Sequence, residues 1–142
     1  PSLANPLTGQ EHQDRDPQKP LQHTVASQTA SFGAVSKTDD IYKASLDCHQ
    51  LAEAFKAVGQ KGSFRGTISK VFEERDGDLI ILDFDPDFKT ALTAVVKNPD
   101  YPKFPDLRSL DGKEVVVSGV FVDYHGKAEI ILTEPAQIKL VK

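Results

Sequence analysis

Residues 114–132 read EVVVSGVFVDYHGKAEIIL, two runs rich in β-branched residues that meet at Tyr124-His125-Gly126. Val115, Val116 and Val117 favour a pleated, half-buried surface, as do Ile130, Ile131 and Leu132. A His-Gly pair between two such runs marks a hairpin. The same grammar extends outward from this hairpin. Upstream, Asp111-Gly112 opens the run at 114–122, and Asn98-Pro99 closes a strand expected at 90–96. Asp76-Gly77-Asp78 makes a tight turn into a strand at 79–84. Before that, Phe64, Gly66 and Ile68 alternate with Arg65, Thr67 and Ser69, and the phase slips at Val71-Phe72 as a bulge would make it. Downstream, residues 128–133 form the fifth strand, Pro135 interrupts pairing, and Ile138, Leu140 and Val141 form a last extended piece. Five short strands punctuated by turns predict a small barrel or sandwich, with Ile68, Leu82, Val95, Val117 and Leu132 buried.

A helix precedes the strands. Asp47 with Gln50 three residues on has the form of a capping box, and Leu51, Ala54, Phe55 and Val58 fall on one stripe. Gly59 is the expected stop, which predicts a helix at about 48–58. Residues 47–142 therefore form the domain, and residues 1–46 form a polar arm, extended or disordered. Leu21, Val25, Phe32, Val35, Ile41, Tyr42 and Leu46 are spaced along the arm like anchors for a partner.

Composition bounds the chemistry. The 142 residues carry a formal charge of −4, without the basic surplus of a phosphate-neutralising protein. Cys48 is the only cysteine, so no intrachain disulfide and no multi-thiolate zinc site can form. No apolar stretch approaches the ~20 residues that cross a bilayer. The chain starts at Pro1 without a methionine, which fits loss of an initiator residue or of a targeting segment equally well.

The strand landmarks are Gly66-Thr67-Ile68, Leu82-Asp83-Phe84 with Pro86 and Phe88, and Thr93-Ala94-Val95-Val96. Gly112-Lys113, Val117-Ser118-Gly119, Tyr124, Gly126-Lys127 and Pro135-Ala136-Gln137-Ile138 follow. Over residues 47–141 this pattern resembles a bacterial OB-fold family of nucleic-acid-binding type, related to anticodon-binding and single-strand-binding domains. The resemblance implies an all-β, five-stranded Greek-key barrel with a preceding helix and a long N-terminal arm. It also implies a lean towards a bacterial extracytoplasmic location, since such domains often follow secretion signals.

A barrel of that type binds single strands through exposed aromatics and a basic groove on its second and third strands. The residues available for that role are Arg65, Lys70, Phe72, Phe84, Phe88, Lys89, Lys97, Tyr101 and Lys103. Against it, residues 73–87 hold seven acids and one base, a net −6, where the groove would lie. The alternating Asp83, Asp85 and Asp87 would share one face of a strand and are the place to look for a divalent cation. They lack the glycine and glutamate of a calcium loop and are read as solvated surface acids. His49 beside Cys48 is given a surface or capping role, with no acid placed to orient its ring. The expectation is a non-catalytic module without cofactor. It acts as an accessory subunit through protein contacts made by the arm, or alternatively as a weak single-strand DNA or RNA binder.

Overall fold

The computed structural model describes residues 31–142. Nine strands and two short helices fill them, in the order β1 (Gly33–Val35), α1 (Asp40–Ala44), β2 (Leu46–Asp47), α2 (Leu51–Lys56), β3 (Lys61–Thr67), β4 (Lys70–Glu73) and β5 (Leu79–Asp83). β6 (Thr93–Lys97), β7 (Glu114–Tyr124), β8 (Lys127–Leu132) and β9 (Ile138–Val141) complete the set. The sheet curls into a half-barrel, so the chain is mostly β and an all-β barrel describes it coarsely.

Pairing follows β1–β9–β7–β8–β6–β5–β4, and β3 joins β7 on one side and the short β2 on the other. β6 and β8 are parallel, as are β1 and β9, while β4–β5, β5–β6, β7–β8 and β3–β7 are antiparallel. Only Ile68 and Ser69 separate β3 from β4, which is the slip expected near Val71. β7 serves three partners along its length, β3 and β9 beside its first half and β8 beside its second.

The expected buried positions are buried, with Ile68, Leu82, Val117 and Leu132 at 0% exposure and Val95 at 1%. Val95 reaches that state on the other side of the sheet. Ile80, Leu82, Ala94, Val96, Ile130 and Leu132 face the main core, whereas Leu79, Ile81 and Val95 form a second apolar cluster with Phe72 and Ile131. Strands buried on both faces read as continuous apolar runs, which is what Leu79-Ile80-Ile81-Leu82 is.

The connection at 98–110 holds two 3-10 turns, Asn98–Lys103 and Leu107–Leu110, that insert Tyr101, Phe104, Leu107 and Leu110 into the core. Two expectations need correction. The helix α2 is shorter than 48–58, because Asp47 is drawn into pairing with Arg65 of β3 and residues 48–50 form a turn. On α2, Ala54 is buried and Leu51 and Val58 pack on the core, but Phe55 of the expected stripe points outward.

The second correction concerns the boundary at 46. Gly33, Ala34 and Val35 pair in register with Lys139, Leu140 and Val141, and Val35 O accepts from Lys142 N at 2.9 Å. Phe32 and Val35 are buried, Phe32 within the main core, so these two anchors serve the chain's own fold. Ile41 is exposed, Tyr42 lies under the Arg65 guanidinium at 5.1 Å, and Leu46 packs against the core. Leu21 and Val25 lie outside the described residues. Phe32→Ala should therefore destabilise the chain by about 3 kcal/mol, the low end for a buried phenylalanine. Urea unfolding measures this, and a loss below about 0.5 kcal/mol, the usual size of a surface substitution, would place Phe32 outside the core.

Candidate functional site

The nine residues expected to line a nucleic-acid groove do not converge. Tyr101 is buried, its hydroxyl donates to Gly77 O at 3.1 Å, and burial pushes its pKa upward. Arg65 donates to Ser45 O and to Ser45 Oγ, which pins it beneath α1. Lys70 lies 4.0 Å from Asp111, and Lys103 pairs with Asp100 at 3.0 Å and Glu134 at 3.6 Å. Phe88 lies under Lys127 Nζ, which donates to Phe88 O at 2.6 Å and Ala91 O at 2.7 Å. Phe72 belongs to the second apolar cluster, and Phe84 is buried edge-on to Phe64. Lys89 and Lys97 are exposed but stand on different elements.

The face where that groove would run is closed. Asp83, Thr93 and Glu129 sit in register across β5, β6 and β8, and Thr93 Oγ1 donates to Glu129 Oε1 at 3.2 Å. These three are 1–4% exposed, and Ile81 and Val95 on the same face are 0% and 1% exposed. Glu73 and Glu74 are buried too, so much of the acidic stretch is not solvated as the sequence suggested.

The alternating acids are likewise separated. Asp83 ends β5, whereas Asp87 caps the 3-10 turn Phe88–Thr90 by accepting from Lys89 N at 3.1 Å. Asp85 turns towards His49, with Oδ2 2.9 Å from Nε2. The shared face fails because the extended backbone stops at Asp83.

What the fold does assemble is a polar cluster on the turn between β2 and α2. His49 N donates to Asp47 Oδ1 at 2.8 Å, and Asp47 N donates to Gln50 Oε1 at 2.8 Å, so the capping pattern acts one turn before the helix. This turn also sets His49 Nδ1 3.1 Å from Asp47 Oδ1 and 3.6 Å from Cys48 Sγ. Adjacent residues diverge on a helix but not on this turn, and Asp85 arrives from a strand end 36 residues away. His49 is thus oriented by two carboxylates, contrary to the sequence reading.

Electrostatics follow from the contacts. The hydrogen bond with Asp85, helped by Asp47, raises the His49 pKa above its ordinary value. Asp47 is held low chiefly by the His49 backbone N–H, and Asp85 chiefly by the His49 ring. Cys48 is buried, and desolvation with the nearby Asp47 charge pushes its thiol up to about 11. Gly66 makes room for it, since a Cβ there would lie 2.5 Å from Cys48 Sγ and 3.1 Å from the Phe84 ring.

A second feature is an open cavity of about 430 Å³ lined by Lys61, Ser118, Val120, Val122, Ile131 and Ala136, among others. Val120 on its wall is 46% exposed, the most exposed large apolar side chain among the described residues. No helix among the described residues is long and apolar enough to cross a membrane. No family model, curated protein or solved structure matches the chain.

Proposed function

We propose that this chain is a non-catalytic binding module on an OB-type barrel that works through protein contacts. In this reading β3 and β4 are one bent strand, and the barrel strands are β3/β4, β5, β6, β7 and β8. The parallel β6–β8 pairing and the return of β7 to β3 support that topology. The observation that carries the functional reading is the burial of Ile81, Thr93, Val95 and Asp83, which leaves no open stacking surface at the centre of the sheet. The buried acids on the same face add repulsion for a phosphate chain.

The apolar cavity beside Val120 supports a protein partner, which would lay an extended apolar segment across Val120, Val122 and Ile131. Phe32 and Val35 pack into the chain's own core, so these two arm residues do not serve as anchors for a partner.

Native purification at low salt tests the reading. The chain should elute with one partner in fixed ratio, and Val120→Asp should release that partner without lowering the melting temperature. Identical elution of both forms as lone monomers would contradict it.

A further inference from the structure

We propose that Asp47, Cys48 and His49 form a binding site for a zinc-type divalent cation, with Asp85 as the positioning residue behind the histidine. The proposal rests on four atoms. Asp47 Oδ1, Cys48 Sγ and His49 Nδ1 come from three consecutive residues, and one donor atom from each lies within 4.8 Å of the others. A tetrahedral zinc ion with Zn–O and Zn–N bonds of ~2.0 Å and Zn–S of ~2.3 Å separates its ligand atoms by about 3.3 Å for O···N and about 3.5 Å for S···N. The observed separations from His49 Nδ1 are 3.1 Å to Asp47 Oδ1 and 3.6 Å to Cys48 Sγ. Both edges of the triangle that meet at His49 Nδ1 therefore have the length of tetrahedral coordination, and the third, between Asp47 and Cys48, lies within 4.8 Å.

The fourth atom is Asp85 Oδ2, 2.9 Å from His49 Nε2, the ring nitrogen turned away from the triangle. Metal-ligating histidines characteristically donate their second N–H to a carboxylate, which fixes the tautomer and strengthens the ligand. The carboxylate is therefore where a histidine ligating through Nδ1 requires it, and it comes from a different part of the chain.

Donor chemistry selects the ion. A thiolate and an imidazole favour borderline metals such as zinc over calcium or magnesium, which take oxygen ligands. With three protein donors, and with Asp47 and His49 half-exposed, the fourth position opens to solvent. On binding, the Cys48 S–H proton leaves to solvent and a metal–sulfur bond takes its place, while His49 Nδ1 and Asp47 Oδ1 donate lone pairs to the metal. No oxidant or reductant is involved. The short Asp-Cys-His turn does not depend on the partner contacts proposed above, so either claim can fail alone.

Cobalt(II) titration of the chelator-treated full chain tests the site. One equivalent should bind and produce a near-ultraviolet thiolate-to-cobalt charge-transfer band, which zinc then bleaches. His49→Ala and Cys48→Ser should each abolish the band, and Asp85→Asn should weaken cobalt binding about 10–100-fold. Glu53→Gln, on the neighbouring helix, should change nothing. Cys48 is buried, so its variant can lose stability, whereas half-exposed His49 tolerates replacement and a melting curve verifies it. No charge-transfer band at saturating cobalt, or a band that survives His49→Ala, overturns the proposal.

Discussion

Phe64→Ala should remove about 3–5 kcal/mol of stability, the range for emptying a fully buried aromatic site. Phe64 lies mid-way along β3, is 0% exposed, and pairs with Leu46 on one side and Val117 on the other. Its ring meets Phe84 edge-on at 4.9 Å and lies roughly parallel to Phe121 at 6.4 Å. Truncation therefore opens a cavity that three strands and the 84–87 segment share, and edge-to-face attraction is lost with it. Such a loss is a large fraction of the ~5–15 kcal/mol that holds a domain folded. Urea unfolding should show a lower midpoint with an unchanged slope, and a loss under about 1 kcal/mol would mean that β3 does not pack as described.

Gly119→Ala should be the second large effect, for a different reason. Gly119 has φ +154°, and a Cβ there would stand 2.8 Å from Gln137 Nε2 and 2.8 Å from Ile130 Cγ2. Overpacking of this kind costs about 1–3 kcal/mol, and a sparsely populated backbone region adds about 1–3 kcal/mol. Gln137 is also a fastener. Its Nε2 donates to Ser118 O at 3.0 Å, and its Oε1 accepts from Thr133 N at 2.7 Å and Glu134 N at 3.0 Å. Pushing that amide aside loosens the entry to β9, against which β1 is paired. Hydrogen exchange should then accelerate at Gly33–Val35 before it does in β5. Gly112→Ala is the control, because its φ of +82° is strained but nothing lies within 4 Å of the added carbon. Equal losses in the two variants would contradict the steric argument.

The hairpin at 114–132 and the turn at Asp76-Gly77-Asp78 were legible because alternation and turn residues are local signals. β1 was not legible, since its three residues are too few to show a period. Their partner strand, Ile138–Val141, lies about a hundred residues away in the chain. The two-sided burial of β5 was written in Leu79-Ile80-Ile81-Leu82, a continuous apolar run. Tyr101 looked like a stacking platform because aromatic content carries no information about which side of a 3-10 turn faces the core. The His49 cluster was half visible. Asp47, Cys48 and His49 are adjacent in the sequence, but the turn that makes them converge, and the arrival of Asp85, belong to tertiary structure.

Fluorescence anisotropy with a mixed-sequence labelled single strand tests whether the sheet's centre is closed to a nucleic acid chain. At physiological salt the Kd should be weaker than ~10⁻⁶ M, the tight end of non-specific binding. Phe88→Ala and Lys89→Glu should leave it unchanged. Sub-micromolar, salt-sensitive binding that either substitution abolishes would contradict that closure.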